Sequence, residues 1–237
     1  MPLFPVEYSS LSTKALLQLV LSNYTIAADS TITYIKRGFN DTYLIKSTNN
    51  KYILRVYKLT NRNFESVETE LKLINHLKEN NVSVSFPITD KHSKLIHAIQ
   101  APEGERYAVL FSYAEGEQIR KLSIEQAYLL GVETGKIHTL TKNKSFGITA
   151  HNYSIEHQFE LTLTTLKPVL IEYPEQYTYL LELKTDFINT FNSIDKYELA
   201  TGICHGDLQA ENFHITTTNQ FTFFYLLNKL GNLLSRP

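Results

Sequence analysis

The chain has 237 residues, of which 43% are hydrophobic and 20% charged, a composition unlike that of a disordered, collagen-like or disulfide-stapled chain. Its formal net charge of −1 lacks the basic excess expected of a protein that binds nucleic acid or anionic membranes. The single cysteine, Cys204, excludes an intrachain disulfide and suits a reducing compartment. The sequence also lacks a secretory leader and an apolar run of roughly 20 residues, so it predicts a cytoplasmic protein.

The first half of the chain is predicted to be rich in β-structure. Ser12 is a candidate N-cap for a first helix, and a second helix carries apolar residues at three-residue spacing on one face. Runs rich in β-branched and aromatic residues, separated by turn-forming residues, predict the strands. The expected elements are a helix over 12–23, strands at 32–36, 42–47 and 51–58, a helix over 63–79, a strand at 84–88, and a hairpin of strands 95–100 and 106–113.

The second half of the chain is predicted to be mainly helical. The expected elements are helices over 123–140, 158–170 and 177–192, followed by strands at 202–205, 213–216 and 221–226. Strands and helices that are segregated in this way indicate an α+β fold rather than a doubly wound sheet. The change in pattern predicts a sheet-rich N-lobe of residues 1–113 and a helical C-lobe of residues 114–237.

The segment with the clearest chemical meaning is His205-Gly206-Asp207, followed four residues later by Asn212. Phosphoryl transfer to a hydroxyl needs a carboxylate that orients the nucleophile and accepts its proton, together with an oxygen ligand for Mg²⁺ close by. An Asp and an Asn at opposite ends of one tight loop between two strands supply both groups. The alternative is a surface turn whose Asn begins the next strand.

This loop resembles the H-G-D-x-x-x-x-N catalytic loop of the aminoglycoside phosphotransferase and choline kinase family. The resemblance implies a protein-kinase-like two-lobed fold, ATP and Mg²⁺ as cofactors, and phosphoryl transfer to a hydroxyl of a small molecule. It also implies that Asp207 is the catalytic base and Asn212 a metal ligand. Gln209 stands where many family members have a second His, a departure that leaves the two key positions intact.

The strand at 51–58 alternates so that Arg55 lies on a face that would line a cleft. A basic residue in a strand can also lie at a solvated edge. The strand resembles the family's nucleotide-binding strand, whose basic side chain reaches the α- and β-phosphates, with Arg here in place of Lys. The same resemblance makes Glu70 the carboxylate that pairs with Arg55, although Glu68 competes for this role and Glu70 could instead face solvent.

Two further segments are candidates for nucleotide contacts. The loop over 37–42, which includes Gly38 and Asn40, could cover phosphates with its backbone N–H groups. It has one glycine instead of three, and a simple hairpin turn is an equally good interpretation. The segment over 109–117 resembles the hinge between the lobes, where backbone groups meet adenine, and Phe111 and Tyr113 mark the expected contacts.

The resemblance is lost after Phe224. Family members have a second Mg²⁺-binding Asp at the position that Tyr225 occupies, and residues 212–237 contain no Asp or Glu. A phenol with a pKa of about 10 is a poor ligand for a hard cation. The sequence therefore suggests either a kinase truncated by a frameshift or early stop, which the abrupt loss favours, or a pseudokinase that binds a nucleotide or a partner.

The resemblance and its loss after Phe224 also lead to expectations about the phosphoryl acceptor and about self-association. Aminoglycoside, choline, homoserine and methylthioribose are all compatible with the resemblance as small-molecule hydroxyl acceptors. An incomplete C-lobe predicts partly exposed apolar residues in the helix over 123–140 and in the uncharged strand over 221–227. We therefore expect poor solubility or a homodimer that buries this surface, and neither a nucleic acid nor a membrane as partner.

Overall fold

A computed structural model of the protein describes residues 6, 8–38, 40–59, 62–142, 144, 146, 155–194, 203, 205 and 207–224, with side chains described outside 155–158. These residues form a five-stranded antiparallel sheet, a mainly helical second half and a two-stranded hairpin. The α+β organisation predicted from the sequence is confirmed. Within the described part of the chain, no helix has the length and apolar character needed to cross a bilayer.

The strands form two separate sheets. Their bounds are β1 (Thr31–Arg37), β2 (Asn40–Lys46), β3 (Lys51–Tyr57), β4 (His97–Ala101), β5 (Gly104–Ser112), β6 (Phe213–Ile215) and β7 (Phe221–Phe223). The first sheet has the order β1-β2-β3-β5-β4 with every pair antiparallel, and β6 and β7 form the hairpin. The predicted strands of the first half therefore exist with small shifts in their ends, except for the one expected at 84–88.

The described helices begin close to the predicted positions. Their bounds are α1 (Thr13–Asn23), α2 (Phe64–Glu79), α3 (Ile124–Thr141), α4 (Ile155–Leu166) and α5 (Pro174–Ser193). Ser12, Asn63 and Ser123 cap the first three helices by accepting a hydrogen bond from a backbone N–H of the first turn. Ser123 also forms a capping box with Gln126, which fixes the start of α3.

The five-stranded sheet has two faces that pack against different partners. Tyr43, Leu54 and Leu110 are aligned across three strands and belong to a core that the sheet forms with α1. Because side chains alternate along a strand, their neighbours Arg55 and Val109 lie on the opposite face. Val109 belongs to the second core, which also contains the buried residues of α2.

The second core joins the sheet to the helical half of the chain. It contains Leu71 and Ile74 from α2, Ile137 from α3, and Phe213 and Phe223 from the β6–β7 hairpin. The hairpin thus contributes buried side chains to the same core as α2.

The segment 84–88 is an extended connection with single bridges in place of the predicted strand. Val84 forms a parallel bridge with Phe223, and Pro87 forms an antiparallel bridge with Phe111. Ser85 donates its backbone N–H to Phe223 O at 2.8 Å. The segment therefore divides its hydrogen bonds between the two sheets, which is why no continuous ladder forms.

The expected partial exposure of the strand over 221–227 is wrong for Phe221 and Phe223, whereas Phe224 is half-buried. Phe221 is 3% exposed and Phe223 is fully buried, because the 83–85 segment pairs with this edge. The expectation for α3 agrees better with the structure, since Ile124 and Tyr128 are largely exposed. Residues 225–227 lie outside the described part of the chain.

A buried guanidinium ties the sheet to the segment before α1. Arg106 of β5 is fully buried and donates hydrogen bonds to Tyr57 O at 3.1 Å, Ser9 O at 3.1 Å and Asp41 Oδ2 at 2.7 Å. The Tyr8 hydroxyl donates to the same Asp41 carboxylate. One side chain thus links three strands and the N-terminal segment.

We predict that Arg106→Met lowers the free energy of unfolding by about 3 to 5 kcal/mol, because it leaves the buried carboxylate of Asp41 without its cation. Urea denaturation of the full chain measures the change. Lys72→Met is the matched control, since it removes an exposed Lys72–Glu68 pair worth at most about 1 kcal/mol. Equal losses in the two variants would contradict a structural role for the Arg106–Asp41 pair.

Candidate functional site

A cavity of about 280 Å³ lies between the five-stranded sheet and the β6–β7 hairpin. Its lining combines apolar side chains, charged side chains and residues of the connection that follows β5. The lining residues are Ile35, Lys36, Thr42, Ile53, Arg55, Ser85, Tyr113, Ala114, Gln118, Glu211, His214 and Phe224.

The cationic side of the cavity is formed by Arg55. Its Nη1 donates to Glu70 Oε1 at 3.1 Å, and both side chains are almost completely buried. The guanidinium carbon lies 4.2 Å from the centroid of the Phe111 ring, within the range of a cation–π interaction. The predicted pairing of Arg55 with Glu70 is thus present, whereas Glu68 pairs with Lys72 at the surface.

A β-bulge shapes the neighbouring part of the cavity. Tyr34 pairs with Tyr43 and Lys36 with Thr42, so Ile35 is an extra residue in β1. The extra residue breaks the alternation of the strand, and Ile35 and Lys36 both line the cavity. Spacing alone could not have identified Lys36, because a regular strand would place these two neighbours on opposite faces.

The described residues of the turn between β1 and β2, Gly38 and Asn40, are held by backbone hydrogen bonds and do not line the cavity. Gly38 donates its N–H to Asn40 O at 3.1 Å, and Gly38 O accepts a hydrogen bond from Lys58 Nζ. Asn40 is 6% exposed and is paired in β2. Neither Gly38 nor Asn40 is among the lining residues of the cavity, and contacts of this loop with phosphates stay a prediction.

The connection after β5 meets the cavity through Tyr113 and Ala114, not through Phe111. Phe111 is fully buried and carries the guanidinium of Arg55 on its ring, so its side chain supports Arg55, and an adenine contact near its backbone stays a prediction. Ala114 O lies 2.7 Å from His214 Nδ1, and the Phe224 ring packs edge-on against His214 at 4.8 Å. His214 thus joins the connection to β6 at the floor of the cavity.

Gly116 fixes a second link between this connection and β6. Glu117 and Ile215 exchange two backbone hydrogen bonds of 3.0 and 2.9 Å. Gly116 has φ of 99°, and a Cβ there would lie 2.4 Å from Ile215 O. Only glycine is compatible with both the positive φ and this close approach.

The predicted catalytic loop is held by its own Asn. Asn212 Nδ2 donates to Asp207 O at 2.7 Å and to Asp207 Oδ2 at 3.0 Å. Asn212 ends a short 3₁₀ turn over Ala210–Asn212 and is 5% exposed, whereas Asp207 is partly exposed. Glu211, next to Asn212, lines the cavity, so the loop reaches the cavity at its C-terminal end.

The donor set of this loop fits a cation that is shared with a phosphate ligand. The Nδ2 of Asn212 is engaged by Asp207, which leaves Oδ1 as the amide atom able to bind a hard cation. Within the described residues, no three His, Cys, Asp or Glu side chains form a metal-binding group. Mg²⁺ is commonly held by one or two protein oxygens together with substrate phosphates. Tyr225, at the expected second carboxylate position, lies outside the described residues.

His205 is a buried and neutral part of the loop's support. It is 3% exposed and packs against Phe223 with ring centroids 6.0 Å apart. Neither ring nitrogen has a hydrogen-bond partner among the described residues. Burial lowers the pKa of His205 to about 4, although the charge of Asp207 acts in the opposite direction.

We predict that the free energy of unfolding falls as the pH is lowered from about 7 to about 4. The unfolded chain takes up a proton at His205 near pH 6.5, whereas the folded protein does so only near pH 4, so protonation favours unfolding between these values. The loss should reach roughly 3 kcal/mol, since one pKa unit corresponds to about 1.4 kcal/mol. Urea denaturation at several pH values should show a shallower pH dependence for His205→Gln, and parallel curves would contradict the interpretation.

Comparison with known proteins gives the same family that the segment from His205 to Asn212 resembles. Residues 31–224 match the phosphotransferase enzyme family (APH). An uncharacterised protein of Synechocystis sp. is 31% identical over 224 residues, which cover 93% of this chain and 62% of that protein. A homoserine kinase of Janthinobacterium sp. is 26% identical over 186 residues, which cover 78% of this chain and 54% of the kinase. The chain therefore spans less than two thirds of the length of these relatives.

Solved structures share the fold at low sequence identity. An amicoumacin kinase in complex with AMP-PNP and Ca²⁺ has a TM-score of 0.72 at 19% identity, covering 94% of this chain and 66% of the kinase. A spectinomycin phosphotransferase in complex with ADP and spectinomycin has a TM-score of 0.64 at 17% identity, covering 94% of this chain and 71% of that enzyme. The fold is thus the two-lobed, protein-kinase-like α+β fold, and the match over residues 31–224 shows that the chain belongs to the phosphotransferase enzyme family.

Proposed function

We propose that this protein transfers the γ-phosphoryl group of ATP to a hydroxyl of a small molecule. The observation that carries the proposal is a single cavity that has the ion-paired Arg55 on one side and Glu211, next to Asn212, on the other. The apolar side chains of Ile53 and Phe224 line the same cavity and suit an adenine ring. Membership of the phosphotransferase family and the nucleotides bound to its structural relatives support this assignment.

The roles of the N-lobe residues follow from their burial and charge. Arg55 would contact the phosphates, since its guanidinium is always charged and presents several donors. Glu70 and Phe111 would keep the guanidinium in place, because they fix it from two directions. The backbone around Tyr113 and Ala114 would bind the adenine edge.

The proton transfer is assigned to Asp207. The acceptor hydroxyl oxygen would form a bond to the γ-phosphorus while the bond from that phosphorus to the bridging oxygen breaks and ADP leaves. The hydroxyl proton would move to the carboxylate of Asp207. The hydrogen bond from Asn212 to Asp207 Oδ2 leaves Oδ1 as the oxygen that can accept this proton.

Asn212 Oδ1 would hold Mg²⁺ against the phosphates. When bound, the cation would neutralise charge on the transferred group. The described residues do not provide a complete metal cage, so the nucleotide itself would have to supply the remaining oxygen ligands.

The acceptor class is proposed from chemistry shared by the relatives. Homoserine and aminopropanol, named in two of the related kinases, are small amino alcohols. Two structurally similar kinases are named after amicoumacin and spectinomycin. We therefore propose a hydroxylated, amine-bearing small molecule, a class that includes aminoglycosides, choline and homoserine.

We predict that Asp207→Asn lowers phosphoryl transfer by about 10²- to 10⁴-fold, the usual contribution of a general base. ADP release is measured with a panel of amino alcohols and aminoglycosides, and nucleotide binding is measured by calorimetry. Because Asp207 is not among the residues that line the cavity, ATP affinity should change little. Glu68→Gln, at the surface of α2, is the matched control. Undiminished transfer by Asp207→Asn would sink the assignment of the base.

A second candidate function is nucleotide binding without catalysis. The observation that favours it is the absence of Asp and Glu from residues 212–237, with Tyr225 at the position of the family's second metal-binding Asp. In this case the cavity would bind ATP, and Asp207 and Asn212 would remain from a catalytic ancestor.

A rescue experiment separates the two functions. We predict a turnover at least about 100-fold below the roughly 1 to 100 per second of ordinary kinases, because a charge-stabilising group is missing. Tyr225→Asp should raise Mg²⁺-dependent turnover, since a carboxylate is a hard anionic ligand. Tyr225→Asn is the control that changes size without adding charge. Ordinary turnover by the unmodified chain would show that another group performs this role.

A further inference from the structure

We propose that Lys36 is a second cation that contacts the phosphates, placed in the cavity by the β-bulge at Ile35. This inference rests on the proposed nucleotide site and adds to it a residue that determines how strongly the phosphates contribute to binding. Lys36 would favour ADP and ATP over ligands that lack a polyphosphate chain.

The first argument is the register of the hairpin. Tyr34 is opposite Tyr43, which lies on the face of the sheet that packs against α1. In a regular ladder Ile35 would be opposite Thr42, and Lys36 would then be opposite Asp41 on the α1 side. The bulge shifts Lys36 by one position, so that it is opposite Thr42 and lines the cavity together with Arg55.

The second argument is the distribution of charge around the turn. Three cations, Lys36, Arg37 and Lys58, lie near its ends. Arg37 stacks on the Tyr8 ring at 3.5 Å, and Lys58 donates to Gly38 O. Arg37 and Lys58 are not among the residues that line the cavity, so of these three cations it is Lys36 that faces the cavity.

The third argument is the chemistry of the cavity as a whole. Its charged lining residues are Lys36, Arg55 and Glu211, while Ile53 and Phe224 are apolar. Two cations next to an apolar surface fit a ligand that carries a polyphosphate beside an aromatic base. The carboxylate of Glu70 offsets much of the positive charge of Arg55. Lys36 would therefore supply positive charge toward the phosphates that Arg55 alone does not.

The test compares Lys36→Met with the wild-type chain in calorimetric titrations with ATP, ADP and adenosine. We expect ATP and ADP to bind about 10- to 100-fold more weakly, as loss of a charge-assisted hydrogen bond predicts. Adenosine, which has no phosphate, should bind within about twofold of its wild-type affinity because it does not meet Lys36. Lys36→Arg should retain most of the affinity for ADP.

Lys46→Met is the matched control, because Lys46 is an exposed lysine at the far end of β2. Its ADP affinity should equal that of the wild type. Unchanged ADP and ATP binding by Lys36→Met would overturn the role of Lys36 while leaving the nucleotide site in place. An equal loss for adenosine would also overturn it, since the effect would then not involve phosphate. A wild-type chain that binds neither ATP nor ADP would overturn the proposed function as well.

Discussion

The buried pair of Arg55 and Glu70 constrains the rest of the structure. A guanidinium that is 1% exposed in the middle of a sheet is tolerated only with a charged partner and good geometry. Glu70 provides this partner from α2, and the Phe111 ring supports the guanidinium from β5. Removing one member of such a pair costs about 3 to 5 kcal/mol, so the helix and the sheet are held in one arrangement. The same arrangement fixes the cationic side of the cavity.

Local patterns were enough to predict the parts of the fold that depend on near neighbours in sequence. The alternation in β3 predicted that Arg55 faces a cleft, and the apolar spacing of α2 predicted the buried side of that helix. The spacing of Asp207 and Asn212 indicated a tight loop, and the structure shows two hydrogen bonds between them. In each case the residues involved are at most five positions apart or lie in one regular element.

Features that depend on distant residues could not be predicted. Arg106 and Asp41 are 65 positions apart, and nothing in either local sequence indicates that they pair. The exposure expected for Phe221 and Phe223 was wrong because an apolar run does not reveal which segment covers it. The bulge at Ile35 also escaped prediction, since a single extra residue leaves the composition of a strand unchanged.

Backbone and side-chain contacts together join the connection after β5 to β6 beside the cavity. Glu117 and Ile215 exchange backbone hydrogen bonds, and Ala114 O is bound to His214 in the strand that follows Asn212. The loop from His205 to Asn212, which ends where β6 begins, is therefore linked to the connection after β5 through β6. Among the side chains that the structure describes, none from α4 or α5 lines the cavity, so we expect substitutions there to leave its lining unchanged.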